Sequence, residues 1–157
     1  MGETTLTSGR PFGVTAGEIL GREPSGGRLA FEEVARQLAL EIGAGGIVIC
    51  TKRRESGKTE LGAVWALDGY AQARLERDAT DGVLCDVLER HRPVEVDATQ
   101  VWEFEAWELG FGQGLAIPVS DREIQAMVCA LYDGEPDVHR AVITAGELEP
   151  FLTRLAG

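Results

Sequence analysis

The three cysteines, Cys50, Cys85 and Cys129, are the residues with which redox or covalent chemistry would begin. Their number is odd and their spacings are long, so they outline no disulfide framework and indicate a reducing compartment. Cys50 and Cys129 lie within apolar runs, where a thiol behaves as a small hydrophobic side chain. Cys85 is predicted on the polar face of a helix, but no cation stands one, three or four positions away to lower its pKa. We therefore expect Cys85 to be inert.

The two histidines are too few to predict a metal site. His91 ends an apolar helical stripe, where a partly packed position favoured by the helix dipole is expected, and His139 is placed in a solvated loop. The sequence also contains no Ser-His-Asp pattern, no Walker loop and no dinucleotide fingerprint. These observations predict no catalytic residues, no metal and no cofactor.

Residues 98–114 are rich in aromatic side chains and are interpreted as a loop or short helix. Glutamates alternate with aromatic residues here. In a strand or a short amphipathic helix this pattern would place the aromatic side chains inward and the acidic side chains outward. In one interpretation the aromatics close the core. In the other they line a pocket for a planar or apolar ligand. The candidate pocket residues are Trp65, Trp102, Phe104, Trp107 and Phe111.

The composition excludes several classes of protein. The chain has 157 residues and a net charge of −11, so its surface repels phosphate backbones and nucleic-acid binding is not expected. No apolar run approaches the ~20 residues of a membrane span. The first residues do not resemble a signal peptide. We therefore expect a cytoplasmic protein with neither nucleic acid nor membrane as a partner.

Periodicity predicts a chain in which hairpins alternate with helices. Val83, Val87 and His91 mark the clearest helical stripe, and Gly43 and Pro93 end the first two helices. Thr144 and Glu147 have the spacing of a capping box, which predicts the start of the last helix. The predicted helices are 29–42, 80–91 and 144–155, and the predicted strands are 46–52, 61–67, 94–96, 115–119 and 124–132. Such an order requires one antiparallel sheet covered by helices.

Two leucines of the first helix, Leu29 and Leu40, point away from its apolar stripe. Isolated exposed leucines are normal on a protein surface. The alternative is a surface on which a partner helix packs, which makes Leu29 and Leu40 the candidate dimer surface.

With these elements in order, the sequence resembles the GAF family. The passages that carry the resemblance are Val83 to Ala98, Leu109 to Ser120, and Glu123 to Asp133 followed by Thr144 to Leu155. It covers residues 29–157, preceded by residues 1–28 as a tail or short leading helix. Profilin-like and roadblock-type domains have similar element orders and are the competing folds.

The resemblance implies an α+β fold with a central antiparallel sheet of about five or six strands and the N- and C-terminal helices packed on one face. It also implies a small-molecule pocket on the other face, and dimerisation through the terminal helices. The signatures of particular ligands are absent: the chain has no asparagine for the cyclic-nucleotide signature, Cys85 has no adjacent histidine for bilin attachment, and the 98–114 segment has no cysteine for methionine sulfoxide reduction.

We therefore expect a non-catalytic sensory or regulatory GAF-like module. It would bind a small ligand, a partner protein or both, and would be a homodimer. Two alternatives remain open: a degenerate GAF fold used purely for protein assembly, and an enzyme similar to free methionine sulfoxide reductases.

Overall fold

The computed structural model describes residues 11–22, 28–57, 59–66, 94–97 and 111–155. The predicted helix 80–91 lies outside these residues. Within them, two helices precede a five-stranded antiparallel sheet, and a broken helical segment follows it.

Helix α1 (Phe12–Arg22) lies within the segment interpreted as a tail or leading helix. Its buried side chains recur at helical spacing, and they join the main core: Phe12, Ala16, Ile19 and Leu20. The leading segment is thus part of the packed structure, because one face of α1 is buried against the next helix.

Helix α2 (Arg28–Ile42) confirms the predicted helix and its stop. Its apolar stripe is fully buried at Val34, Ala35 and Leu38. Gly43 follows with a φ of 71°, which a residue with a side chain rarely adopts, and the Ala44 amide donates to the carbonyl of Ala39 over 2.9 Å. The helix therefore ends where the sequence predicted.

The strands are β1 (Gly46–Arg53), β2 (Thr59–Ala66), β3 (Val94–Asp97), β4 (Gln113–Ser120) and β5 (Ile124–Tyr132). Their order in the sheet is β2-β1-β5-β4-β3, and every pairing is antiparallel. The long apolar strand β5 lies in the middle of the sheet, where a strand is buried on both faces. A bulge interrupts the pairing of β1 with β2 between Ile49 and Cys50.

The C-terminal helical segment corrects one expectation. A helix was predicted to start at Thr144, but α3 (Val138–Gly146) begins six residues earlier and already contains Thr144. Asp137 caps it, since its carboxylate accepts the Arg140 amide over 3.2 Å. His139 therefore lies in a helix rather than a loop. A 3₁₀ turn (Glu149–Phe151) and α4 (Leu152–Leu155) follow.

The two faces of the sheet have different surroundings. All the described helices pack on one, which we call the first face, and together they form the main core with Ile47, Ile49, Leu115, Ile117 and Val128. The opposite one, the second face, faces away from these helices. The segments 67–93 and 98–110 lie outside the described residues.

Candidate functional site

The candidate site is the second face of the sheet, and strand register fixes which residues form it. Side chains of directly paired antiparallel residues point to the same side. Two apolar rows therefore run across four strands, Ala66–Gly46–Leu131–Gly114 and Val64–Val48–Cys129–Ala116, and a third, Cys50–Met127–Pro118, runs across three.

Most side chains in these rows are small. The three central positions Cys50, Ala116 and Cys129 are at most 1% exposed. Gly46 and Gly114 carry no side chain at all in the row beside Leu131. Small residues on a pleated surface can leave room between the sheet and whatever covers it, so this face can form the floor of a site for a compact apolar group.

Phe111 closes one end of this floor. A β-carbon added to Gly45 would lie 2.9 Å from Cε1 of Phe111, and one added to Gly46 would lie 3.3 Å from its Cζ. The ring therefore lies directly over the glycine backbone, which is the close approach that glycine permits. Of the two predicted pocket residues that the structure describes, Trp65 and Phe111, it is Phe111 that lies on the second face.

Trp65 is not brought together with Phe111. It pairs with Ile47 of β1, which points into the helix-covered core, and Trp65 packs against that same core. The pocket prediction grouped these two side chains, and the strand register separates them onto opposite faces. Trp102, Phe104 and Trp107 lie outside the described residues.

A polar row borders the other end of the floor. Lys52 pairs with Gln125, and Gln125 pairs with Ser120, one row beyond Cys50, Met127 and Pro118. All three polar side chains are half-buried. The second face thus has an aromatic ring, Phe111, at one end. At the other end it has the cation of Lys52 and the hydrogen-bonding side chains of Gln125 and Ser120. Sequence reasoning missed this row, although the alternation in GIVICTK places Lys52 on the same side as Val48 and Cys50.

The two thiols on this face are poorly suited to nucleophilic chemistry. Burial raises the pKa of Cys129 far above its ordinary value, and the neighbouring Cys50 adds to the effect. A thiol that does not ionise is a weak nucleophile. Both cysteines are buried and outside any disulfide bond, as expected from their apolar runs.

The outer surface of the helices carries the other candidate feature. Leu40 on α2 is 58% exposed and Ile143 on α3 is 56% exposed. The two helices pack together, and Arg140 Nη2 lies 4.0 Å from Glu41 Oε2 between them. We call this the helix surface. The side chain of Leu29 lies outside the described residues.

Metal binding and membrane insertion place their own requirements on side chains and helices. In the described part of the chain, no three histidine, cysteine or acidic side chains are grouped so that they could hold a metal ion. None of the described helices is both long and apolar enough to span a bilayer.

Comparison with solved structures defines the fold. The chain is similar to the GAF domain of a phosphoenolpyruvate-protein phosphotransferase from Coxiella burnetii, with a TM-score of 0.65, 16% identity, and 92% of this chain and 89% of that chain covered. The corresponding GAF domain from Acinetobacter gives a TM-score of 0.59 at 14% identity over 91% of this chain and 93% of that one. The protein therefore has the GAF fold.

The chain is also similar in fold to a transcription factor whose activity depends on a ligand. The N-acylhomoserine lactone dependent LuxR family transcription factor CepR2 from Burkholderia cenocepacia gives a TM-score of 0.61 at 17% identity, covering 93% of this chain and 97% of that one. No protein-family model matches the sequence, and no curated protein is significantly similar to it.

Proposed function

We propose that the protein is a non-catalytic regulatory module that binds a small, largely apolar ligand over the second face of its sheet. The observation that carries this proposal is the pairing of a floor of small, buried side chains with a polar row at one end. A ligand with an apolar body and a polar or anionic head matches both parts: the body covers Val48, Ala116 and Cys129, and the head reaches Lys52.

The relatives by fold support the same class of function. The GAF domains belong to a phosphotransferase, and the CepR2 structure is described as that of an N-acylhomoserine lactone dependent transcription factor. An acyl lactone has an apolar chain and a polar ring. The GAF-like scaffold is thus compatible with an amphiphilic ligand, and this chain would transmit ligand binding to a partner protein in the cytoplasm.

The two methionines make a direct test possible. Labelling the methionine methyl groups with ¹³C gives a signal from Met127, on the second face. Titration with decanoate and with an N-acyl lactone should shift the Met127 signal saturably. Ala116→Val should abolish the shift. If neither compound nor a broad set of metabolites moves Met127, the ligand-binding function is wrong.

Purely structural assembly is the second candidate function, and the burial of the second face favours it. Val48, Cys129 and Leu131 are 0% exposed, as side chains of a filled core would be. In that case the helix surface would carry the function, with Leu40 and Ile143 as the contact between two copies.

Light scattering tests the dimer, which belongs to both the ligand-binding and the assembly proposals. The parent protein should form a dimer, and Leu40→Glu should convert it to a monomer because a charge would be buried at the contact. Glu32→Gln, another change on α2, is the control and should leave the dimer intact. A parent that stays monomeric at high concentration would remove the dimer from the proposal.

The enzyme alternative has its own test. Cys50 and Cys129 are buried in strands, which supports a non-catalytic protein, and Cys85 lies outside the described residues. We expect no turnover of free methionine sulfoxide. Turnover in the parent that is lost in Cys85→Ser would replace the regulatory proposal with the enzymatic one.

A further inference from the structure

A cavity lies where two turns meet at one end of the sheet. Its volume is about 420 Å³. The turn after β1 and the turn between β4 and β5 form its walls. Its lining residues, which define what we call the two-turn pocket, are Arg53, Arg54, Glu55, Ser56, Arg122 and Glu123.

Hydrogen bonds hold the two turns in a fixed relation. The Arg54 amide donates to the carbonyl of Glu123 over 3.0 Å, and Arg54 Nε donates to the carbonyl of Asp121 over 3.2 Å. Asp121 organises the second turn, because its Oδ1 accepts the amides of Glu123 and Ile124 over 2.8 and 2.7 Å. The pocket walls are therefore preorganised before any ligand arrives.

The negative charge of Asp121 is stabilised by the groups that hold the two turns together. Burial by itself would raise the pKa of Asp121, but the amide donors, the hydroxyl of Thr153 and the charge of Arg54 outweigh it and leave the pKa lowered. An ionised carboxylate that already accepts several hydrogen bonds competes weakly for further donors.

The guanidinium groups of Arg54 and Arg122 keep donors available. Within the described residues, neither forms an ion pair with Glu55 or Glu123, and both terminal nitrogens of Arg54 are without a hydrogen bond. Three arginines and two glutamates line this pocket, and the ionised carboxylate of Asp121 beside it brings the local charges to three positive and three negative. This local balance contrasts with the net charge of −11 of the whole chain.

We propose that the two-turn pocket is an oxyanion-binding site that takes a phosphoryl or carboxylate group of a small metabolite between Arg54 and Arg122. Guanidinium is the side-chain group whose planar set of donors matches the paired oxygens of such anions. The volume accommodates a phosphate ester or a short dicarboxylate. None of the lining residues belongs to the rows of the second face, although the polar row with Lys52 and Ser120 adjoins both turns. The protein would therefore respond to an anionic metabolite independently of the proposed apolar ligand.

Backbone amide NMR with inorganic pyrophosphate as the probe tests this site. Citrate is titrated in parallel, and sodium chloride keeps the ionic strength constant so that general screening is removed. We expect saturable shifts confined to Arg54, Gly57 and Glu123. Saturation by pyrophosphate alone identifies a phosphoryl site, and saturation by citrate alone identifies a carboxylate site. Shifts that grow without saturation, or that chloride reproduces, would overturn the proposal.

Two variants test the donors. Arg122→Gln should weaken binding about tenfold or more, which is the scale of losing a charged hydrogen bond, and Arg122 has no contact in the described part of the chain whose loss would unfold the protein. Arg54→Lys should also weaken binding, because an ammonium cannot form the paired bonds. Arg36→Gln removes the same charge from α2 and should leave binding unchanged. Equal affinity in the parent and Arg122→Gln would overturn the proposal.

Anion binding in the two-turn pocket can be tested independently of ligand binding on the second face. Ala116→Val should leave pyrophosphate binding unchanged, since Ala116 lies in a different row of the sheet from both turns. A loss of binding in Ala116→Val would mean that the two sites are one, which contradicts the separate site proposed here.

Discussion

The first and second faces of the sheet are built by alternate residues of the same strands, and in β1 and β4 they differ in the size of their side chains. In β4, Leu115 and Ile117 lie on the first face, and Gly114 and Ala116 lie on the second. In β1 the first face has Ile47 and Ile49, and the second has Gly46, Val48 and Cys50. The central strand β5 reverses this order, since Ala126 and Ala130 lie on its first face and Met127 and Leu131 on its second.

The difference in β1 and β4 indicates how each face is occupied. The first face contacts α1, α2 and α3, and large branched side chains there fill the space between the layers at close packing. Small side chains on the second face would leave that space empty if helices packed against it in the same way. A face with small residues therefore suits an occupant with a shape of its own, which is the basis for proposing a ligand there.

The largest expected effect compares two leucines, Leu115 on the first face and Leu131 on the second, both 0% exposed. Leu115→Ala should cost about 3–4 kcal/mol, because a cavity forms between rigid layers that cannot collapse. Leu131→Ala should cost about 2 kcal/mol, since Phe111, which is adjacent, can move into the space. Urea unfolding of the two variants and the parent measures both costs.

Equal costs would contradict this comparison. They would mean that the second face is packed as densely as the first, which favours the assembly function over the ligand-binding one. Met127→Leu is a suitable control on the second face, because it nearly conserves side-chain volume and should change stability by less than about 1.5 kcal/mol.

A smaller effect comes from enlarging two alanines, Ala130 on the first face and Ala116 on the second, both 0% exposed. Ala130→Val should destabilise by about 1–3 kcal/mol, because Ile47 and Leu115 flank it in a filled row. Ala116→Val should cost less, about 1 kcal/mol or below, if space remains above it. Thermal unfolding of the pair gives the difference, and a reversed order would show that the second face has the tighter packing.

The sequence predicted the elements best where a long apolar pattern ends at a clear signal. Strand 124–132 was predicted with its observed bounds, and helix 29–42 with its stop at Gly43. The GAF fold followed from the order of such elements and is confirmed by structural similarity. These features depend on local pattern, which a single sequence carries.

The last helix was predicted wrongly because two local signals compete. Thr144 and Glu147 have the spacing of a capping box, but Asp137 caps the helix earlier, and Thr144 is buried within it at 8% exposure. Burial of Ala141 and Ala145 against the sheet favours the earlier start. Tertiary packing thus outweighed a local motif.

The candidate sites depend on which strands pair, and a single sequence carries little information about that pairing. Trp65 was assigned to the pocket from its type, and only its pairing with Ile47 shows that it faces the helices. The two-turn pocket joins Arg54 to Asp121, which are 67 positions apart, so no short motif reveals it. Arrangements of this kind are set by sheet topology rather than by spacing along the chain.

The smallest expected effect concerns Tyr132, the polar side chain at the end of the first face. Its hydroxyl donates to the carbonyl of Ile42 over 3.3 Å. Burial, followed by the negative charge of Asp137, raises the pKa of Tyr132 to about 12, against an opposing effect of Arg140. The folded protein therefore keeps this proton at a pH at which the unfolded chain has lost it.

The sign of the pH dependence follows from this difference. Between pH 10 and 12 the unfolded state binds fewer protons than the folded state, so the free energy of unfolding falls as the pH rises through this window. Tyr132→Phe should lose about 1 kcal/mol at pH 7 with the hydrogen bond, and should show a shallower fall above pH 10. Urea unfolding at several pH values measures this, with Tyr70→Phe as the control. If the folded protein ionised Tyr132 near pH 10, followed by absorbance, this end of the first face would be open to water, and the contrast between a closed and a receptive face would be weaker than proposed.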